Sequence, residues 1–161
     1  MTGIKNKMIN NKVKVYIGSD HAGFELKNAL IDFLVGLDYE VSDKGAFGYD
    51  EGDDYPDFIS SVAREVSEDP ENAEGIILGA SGQGEAITAN RFKNVRAAVY
   101  YGGNSDIIRL SRQHNNTNIL SLGARFLSEE KAKEAVKIWL NTPFSRDERH
   151  IRRIKKIEDL N

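Results

Sequence analysis

The chain has 161 residues, the length of one domain, and a domain of this size buries roughly 70% of its unfolded surface. Its 22 basic and 25 acidic side chains give a net charge of -3, so the strongly positive field that drives binding to nucleic-acid backbones is absent. Without cysteine the chain forms no disulfide, thiolate nucleophile or zinc-thiolate site. No apolar run has the length of a signal peptide or a membrane span. We therefore expect a cytoplasmic protein with neither a nucleic-acid nor a membrane partner.

The first half of the chain alternates between strand and helix patterns. Residues 1–11 are polar and are predicted to form a flexible tail before a single domain over residues 12–161. A short strand is then predicted from Val13 to Ile17, because apolar and polar residues alternate there. After Gly23, apolar side chains recur at helical spacing up to Leu37. A strand at residues 39–42 and a helix from about Pro56 follow, with an inner face of Ile59, Val62, Ala63 and Val66.

The second half repeats this alternation. The apolar run at residues 76–78 predicts a buried strand, and a helix is expected to open near Gly84. A strand at residues 97–100, a helix at 105–113 and a strand at 119–122 come next. Ser128 is typical of a helix N-cap. The inner face of that helix is predicted to be Ala132, Val136, Trp139 and Leu140, and a last helix over residues 149–160 aligns Ile151, Ile154, Ile157 and Leu160.

Strands that alternate with helices, with apolar central strands, predict an α/β fold. We expect a Rossmann-like three-layer sandwich around a five-stranded parallel sheet. Ligands of such sheets bind beyond the carboxyl ends of the strands. The chemistry is therefore expected in residues 18–23, 45–57, 79–85, 101–104 and 123–125.

Residues 79–84 form a glycine-rich segment between a predicted strand and a predicted helix. Its backbone N–H groups could surround a phosphate or an oxyanion, but the segment matches neither common nucleotide-binding pattern and could also be a turn that requires glycine. Glu85 follows in the first helical turn. It is either a general base or a carboxylate that only stabilises the helix terminus.

The three histidines lie at or beside the candidate ligand loops. Asp20 and His21 follow the first strand, where they could bind a ligand or only their own loop. His114 ends a helix, as a favourable C-terminal cation or as a proton carrier. Arg149 and Arg153 lie four residues apart on the last helix, a spacing that suits a phosphate but also an ordinary solvated face.

An acidic segment precedes the second predicted helix. It lacks the alternating spacing of a calcium-binding loop, so we interpret it as a solvated loop and predict no metal site. The carboxylates concerned are Asp43, Asp50, Glu51, Asp53, Asp54 and Asp57.

Several of these segments together resemble ribose-5-phosphate isomerase type B, in order and in spacing, from about Lys12 to Leu160. The family interconverts an aldose phosphate and a ketose phosphate through an enediolate, without a metal or a cofactor. The main implied activity is the conversion of ribose 5-phosphate and ribulose 5-phosphate in the pentose phosphate pathway. The segments that carry the resemblance are GSDHAGF (18–24), DYP (54–56), GASGQGE (79–85), SRQHN (111–115), LGAR (122–125) and RH (149–150).

The resemblance also implies roles for individual residues. Many family members carry a cysteine base at the position of Gly79, but this chain resembles a subgroup whose base is the glutamate, here Glu85. His114 would assist ring opening with Asp20 near the ring oxygen or its hydroxyls, and the Ser81 hydroxyl would bind sugar oxygens. The enediolate would be held by Asn115 and by the backbone of Ala80, Gly82, Gln83 and Gly84. The phosphate would be held by His21, Tyr55, Arg125, Arg149 and Arg153.

In the family the site is shared across a dimer, and His114 and Asn115 come from the neighbouring subunit. The resemblance therefore implies a homodimer or homotetramer, with the last helix packed on a neighbour. The segment at residues 101–105 is longer than the family usually shows and could change which sugar fits, so an isomerase of allose 6-phosphate or galactose 6-phosphate stays an alternative. A second alternative, of a different class, is a noncatalytic sugar-phosphate-binding subunit.

Overall fold

The computed structural model describes residues 13–160, so the predicted tail at residues 1–11 lies outside the described residues. Strands and helices alternate along the chain, and two short 3-10 turns, His21–Gly23 and Ala124–Phe126, follow the first and last strands. In chain order the elements are β1 (Lys14–Ser19), α1 (Phe24–Gly36), β2 (Glu40–Asp43), α2 (Tyr55–Glu68), β3 (Ala73–Gly79), α3 (Gln83–Ala89), β4 (Ala97–Tyr100), α4 (Asp106–Asn115), β5 (Ile119–Gly123), α5 (Glu129–Asn141) and α6 (Glu148–Glu158).

The strands form one parallel sheet in the order β2-β1-β3-β5-β4, which confirms the predicted α/β fold. The central strand β3 is buried along its whole length, as its apolar run indicates. Ser19 pairs with Leu78, and Gly79 pairs with Gly123. The carboxyl ends of β1, β3 and β5 therefore lie side by side at one edge of the sheet.

Helices cover both faces of the sheet and give it two apolar cores. Residues of α1, α4 and α5, among them Leu30, Ile108 and Trp139, pack with the inner side chains of the sheet on one face. The other core is formed with α2, whose four predicted inward residues are all fully buried. The helical spacing of apolar residues therefore identified the buried face of α2 correctly.

The start of α5 also agrees with its prediction. The Ser128 side chain accepts a hydrogen bond from the backbone N–H of Lys131 at 3.2 Å, as expected for an N-cap. Ala132, Val136 and Trp139 are buried, whereas Leu140 is only partly buried. Among residues 13–160 no helix combines the length and the apolar composition that a membrane crossing requires.

The last helix, α6, differs from the others because none of its apolar side chains is buried. Ile151 and Ile157 keep 50% and 48% of their surface, and Leu160 just beyond the helix keeps 83%. The helix is held by an ion pair between Arg96 and Glu158 at 2.7 Å and by its buried residue His150. Contact of this face with a neighbouring subunit stays a prediction.

Candidate active site

The glycine-rich segment after β3 is hydrogen-bonded to the neighbouring strand β5 and to the turn that follows it. The Ser121 hydroxyl donates to the backbone carbonyl of Gly82 at 2.7 Å, and the backbone N–H of Arg125 donates to the carbonyl of Ala80 at 3.1 Å. Gly82 has φ +80, a conformation that favours glycine. Gln83 is exposed, and its backbone N–H donates to the Ser81 hydroxyl at 3.3 Å. These hydrogen bonds hold the segment in one defined conformation beside β5, which a simple turn would not require.

Glu85 is buried at the first turn of α3, with 4% of its surface exposed. A Cβ atom at Gly79 would lie 1.8 Å from Oε1 of Glu85, so the carboxylate occupies the space that a side chain at position 79 would need. Burial raises the pKa of Glu85 first, and the negative charge of Asp20 raises it further, although backbone N–H groups of Glu85 and Gly82 oppose both effects. A buried carboxylate with a raised pKa suits a general base better than an exposed helix-capping role.

Asp20 and Tyr55 border the same loop. Asp20 is buried directly after β1, and its carboxylate accepts a hydrogen bond from the backbone N–H of Ala22 at 3.0 Å. Tyr55 begins α2, and its ring lies against Gly84, where a Cβ atom would come within 2.6 Å of both Cζ and the hydroxyl oxygen. Glycine at position 84 thus allows the tyrosine to approach the loop.

A pocket of about 280 Å³ lies beside this loop and contains two of the predicted phosphate-binding residues. It is lined by His21, Ala22, Glu25, Tyr49 and Arg125. His21 follows β1 and Arg125 follows β5, so the strand order brings the two cations to one edge of the sheet. An imidazole and a guanidinium in one pocket favour an anionic ligand.

The prediction that the acidic segment is a solvated loop is wrong for two of its carboxylates. Asp43 accepts hydrogen bonds from the fully buried ammonium of Lys27 at 2.8 and 2.7 Å. Asp53 accepts from His21 and keeps only 8% of its side-chain surface. The other members of the segment are exposed, as predicted: Asp50, Glu51, Asp54 and Asp57.

Asp20, His21 and Asp53 could each offer one ligand atom to a metal ion, since these atoms lie within 4.8 Å of one another. However, Nδ1 of His21 and Oδ1 of Asp53 are only 2.6 Å apart, which is a hydrogen-bond distance. Two ligands at about 2.0–2.2 Å from one ion stand farther apart than this. The group is therefore a hydrogen-bonded cluster rather than a cation site.

A second group of predicted residues lies at the junction of α4 and α6. The imidazole rings of His114 and His150 stack at 4.3 Å between centroids and 18° between planes. Burial lowers the pKa of His150, and so do the neighbouring charges of His114, Arg149 and Arg153. Arg149 and Arg153 are exposed, as is Asn115. This group is therefore a cationic surface next to a histidine pair.

The described chain does not bring these two groups together. Helix α4 runs antiparallel to the strands, so His114 at its end lies near the amino edge of the sheet. There the Arg96 side chain, before β4, donates to the carbonyl of Asn116 at 2.9 Å. Glu85 lies near the carboxyl edge, and strand β5 of five residues separates the two edges by roughly 15 Å.

Comparison with known proteins identifies the family. The family described as Ribose/Galactose Isomerase matches residues 15–157. The chain belongs to this family. Among ribose/galactose isomerase relatives, ribose-5-phosphate isomerase B of Mycolicibacterium paratuberculosis is 41% identical over 142 residues, which cover 88% of this chain and 87% of the relative. The Escherichia coli protein of that name is 40% identical over 144 residues, 89% of this chain and 93% of the relative.

Solved structures of ribose/galactose isomerases have the same fold. Ribose-5-phosphate isomerase B from Mycoplasma genitalium, solved with bound ribulose-5-phosphate, matches with a TM-score of 0.88 at 34% identity over 92% of this chain and 95% of that chain. The Clostridium thermocellum enzyme matches with a TM-score of 0.85 at 41% identity, covering 92% of this chain and 97% of that chain. The family match over residues 15–157 includes all the predicted site residues.

Sequence reasoning missed two residues of this ribose/galactose isomerase. Asp53 was assigned to a solvated loop, and no local pattern distinguishes it from its acidic neighbours, because its partner His21 lies 32 residues away. His150 received no role, although it adjoins Arg149 in the RH segment. Its position between Arg149 and Arg153, both predicted to bind phosphate, is a signal that His150 lies near the ligand. Only the fold shows that its ring stacks on His114.

Proposed function

We propose that this protein interconverts D-ribose 5-phosphate and D-ribulose 5-phosphate. The observation that carries the proposal is the buried carboxylate of Glu85, which lies over Gly79 with a raised pKa and borders a loop of backbone N–H groups. The names of the relatives agree with a pentose phosphate substrate, and the Mycoplasma genitalium structure holds ribulose-5-phosphate. Because phosphorylated pentoses are charged metabolites of the cell interior, we place the activity in the cytoplasm.

The reaction requires one carbon-bound proton to move between neighbouring carbons. In the open-chain aldose, Glu85 removes the proton from C2, the C2–H electron pair forms the C1–C2 double bond, and the carbonyl electron pair moves to O1, which gives the enediolate. The O2 hydroxyl proton then passes to O1, and return of the proton from Glu85 to C1, as O2 becomes the carbonyl oxygen, yields the ketose. Backbone N–H groups of residues 80–84 would stabilise the oxyanion, and loss of one such donor typically costs ~10²-fold in rate. Ser81 would bind the sugar hydroxyls, and the Asp20 carboxylate would accept from hydroxyls near the ring oxygen.

The substrate phosphate would lie in the pocket that contains His21 and Arg125. Tyr55 borders the adjacent glycine-rich loop, so its hydroxyl could complete this part of the site. We propose that Arg149 and Arg153 reach the same phosphate from a second copy of the chain. Their exposure on α6 and the exposed apolar side chains of that helix support this arrangement.

We likewise propose that His114 and Asn115 complete the site from the second copy. Within one chain they lie near the opposite edge of the sheet from Glu85, too far to act on the same sugar. A homodimer, or a homotetramer built from such dimers, would place the stacked pair of His114 and His150 beside the partner's glycine-rich loop. His114 would then assist opening of the furanose ring.

The activity is tested by the turnover of ribose 5-phosphate with chelator-treated protein, with allose 6-phosphate and galactose 6-phosphate in parallel. Glu85→Gln should abolish turnover while sugar-phosphate binding persists, and exposed Glu134 on α5 provides the matched Glu134→Gln control. Turnover of hexose phosphates alone would refute the pentose assignment. Binding without any turnover in the unmodified protein would identify a binding subunit instead.

The shared site is tested by mixing two inactive variants, Glu85→Gln and His114→Ala, by coexpression. In a mixed dimer, one site carries both substitutions and the other carries an intact Glu85 and an intact His114. Random pairing in a two-fold dimer makes about half of the dimers mixed, so about a quarter of the unmodified activity should return. If both groups acted within one chain, mixing would restore nothing.

A further inference from the structure

Asp53 is tied to His21 by two hydrogen bonds to one carboxylate oxygen. Its Oδ1 accepts from the backbone N–H of His21 at 3.1 Å and lies 2.6 Å from Nδ1 of the imidazole. The residue precedes α2, and the histidine follows β1, so this contact joins two of the strand-end segments. The short distance between side chains is typical of a charge-assisted hydrogen bond.

The second carboxylate oxygen of Asp53 bears on whether His21 is protonated. Oδ2 is buried and has no hydrogen-bond partner among the described residues, and the side chain as a whole is 8% exposed. A buried carboxylate is costly unless a cation or several donors compensate it. His21 is the group in position to do so, and only its protonated form supplies a positive charge.

Some of the other charged and titratable groups around His21 favour its protonation, and others oppose it. Oδ2 of Asp20 lies 4.0 Å from Nδ1, and Glu25 lines the same pocket. Arg125 opposes protonation from the 3-10 turn after β5, and the ring of Tyr49 meets the imidazole edge-on at 6.2 Å. The pKa of His21 is raised overall, first by the hydrogen bond to Asp53 and then by both aspartates, against burial and Arg125.

We propose that Asp53 is a positioning residue, which holds His21 as an imidazolium with Nδ1–H directed at the carboxylate and Nε2–H available to the anion pocket. The part of this inference that concerns substrate phosphate rests on the proposed function. Asp53 acts through His21 and needs no contact with the sugar. A neutral imidazole could still donate one hydrogen bond to the phosphate, but it would lack the positive charge that attracts the anion.

Asp53→Asn removes the negative charge but keeps the shape of the side chain, and its amide oxygen can still accept a hydrogen bond from Nδ1–H of His21. Asp57→Asn is the matched control, since this exposed aspartate in the first turn of α2 makes the same charge change. NMR titration of the three histidine rings, assigned with His21→Gln, reports the charge directly. We expect His21 to titrate above 6.5 in the unmodified protein and in the control, and at a lower pH in Asp53→Asn.

Kinetics provide the second measurement. Asp53→Asn should raise KM for ribose 5-phosphate about tenfold, and weaken inhibition by inorganic phosphate similarly, while kcat changes far less. A mainly structural role would instead lower Tm and kcat together. An unchanged His21 titration in Asp53→Asn overturns the inference.

Two further outcomes remain decisive. If Asp53→Asn does not fold, the nitrogen chemical shifts of His21 in the unmodified protein still show whether both ring nitrogens carry protons at pH 6.5, and a mainly neutral ring there overturns the inference. If the unmodified protein has no isomerase activity, the proposed function fails, whereas the titration still decides whether Asp53 holds His21 cationic.

Discussion

Substitution of Gly79 by alanine should impair catalysis more than folding. The new Cβ would lie 1.8 Å from Oε1 of Glu85 and 2.1 Å from its Cδ, whereas real Cβ contacts keep at least 3.0 Å. The carboxylate must therefore move by at least 1.2 Å, the difference between 3.0 and 1.8 Å. Because a displacement of about 1 Å in a catalytic group can cost 10²-fold, we expect kcat to fall by about 100-fold.

The stability cost of Gly79→Ala should be moderate. The clash involves the end of a flexible side chain, and overpacking of this kind costs about 1–3 kcal/mol. Gly36→Ala is the control, because a Cβ atom there meets nothing within 4 Å at the end of α1. The assay is turnover of ribose 5-phosphate beside thermal unfolding of both variants. A folded Gly79→Ala protein with the kcat of the control would refute the placement of Glu85 as the base.

Three further predictions concern pH and stability. Since Glu85 must be ionised to act and its pKa is raised, kcat/KM should fall with decreasing pH at values above 4.5, and a profile that stays flat down to 4.5 would contradict this. Ser128→Ala removes the hydrogen bond from Lys131 and should cost about 1 kcal/mol in unfolding free energy without a change in kcat, as measured by denaturant titration. Because the pKa of buried His150 is lowered, the unfolded chain binds the additional proton as the pH falls below 6.5. The Tm of the unmodified protein should then decrease more steeply below pH 6.5 than that of His150→Phe, which keeps an aromatic ring against His114; parallel curves would argue against a neutral His150.

The sequence predicts the layered fold because the periodicity of apolar residues is a local property. The strand at residues 97–100 has the predicted bounds, and the inner face of α2 is buried as predicted. The position of the glycine-rich loop and Glu85 is also predictable, since residues that follow parallel strands must meet at one edge of the sheet. Family resemblance then supplies chemical roles that spacing alone leaves open.

The same local patterns do not determine which surfaces become covered. The apolar spacing of α6 resembles that of α2, yet Ile151 and Ile157 stay exposed in the described chain. A hydrophobic stripe shows that a helix is amphipathic, but the arrangement of the other elements decides what packs on it. The burial of Asp53 likewise depends on its distant partner His21.

The sequence by itself determined the order of strands and helices, the loop that carries Glu85, and the set of histidines and arginines that could bind a sugar phosphate. Only the tertiary structure decided where the members of this set lie within one chain. Because α4 runs back along the sheet, His114 ends near the opposite edge from Glu85, a separation that residue patterns along the chain do not show and that only the family resemblance implied. The direction of a helix relative to the sheet is a property of the packed fold. In one chain it leaves the half of the proposed site that contains Glu85 and the half that contains His114 at opposite edges of the sheet.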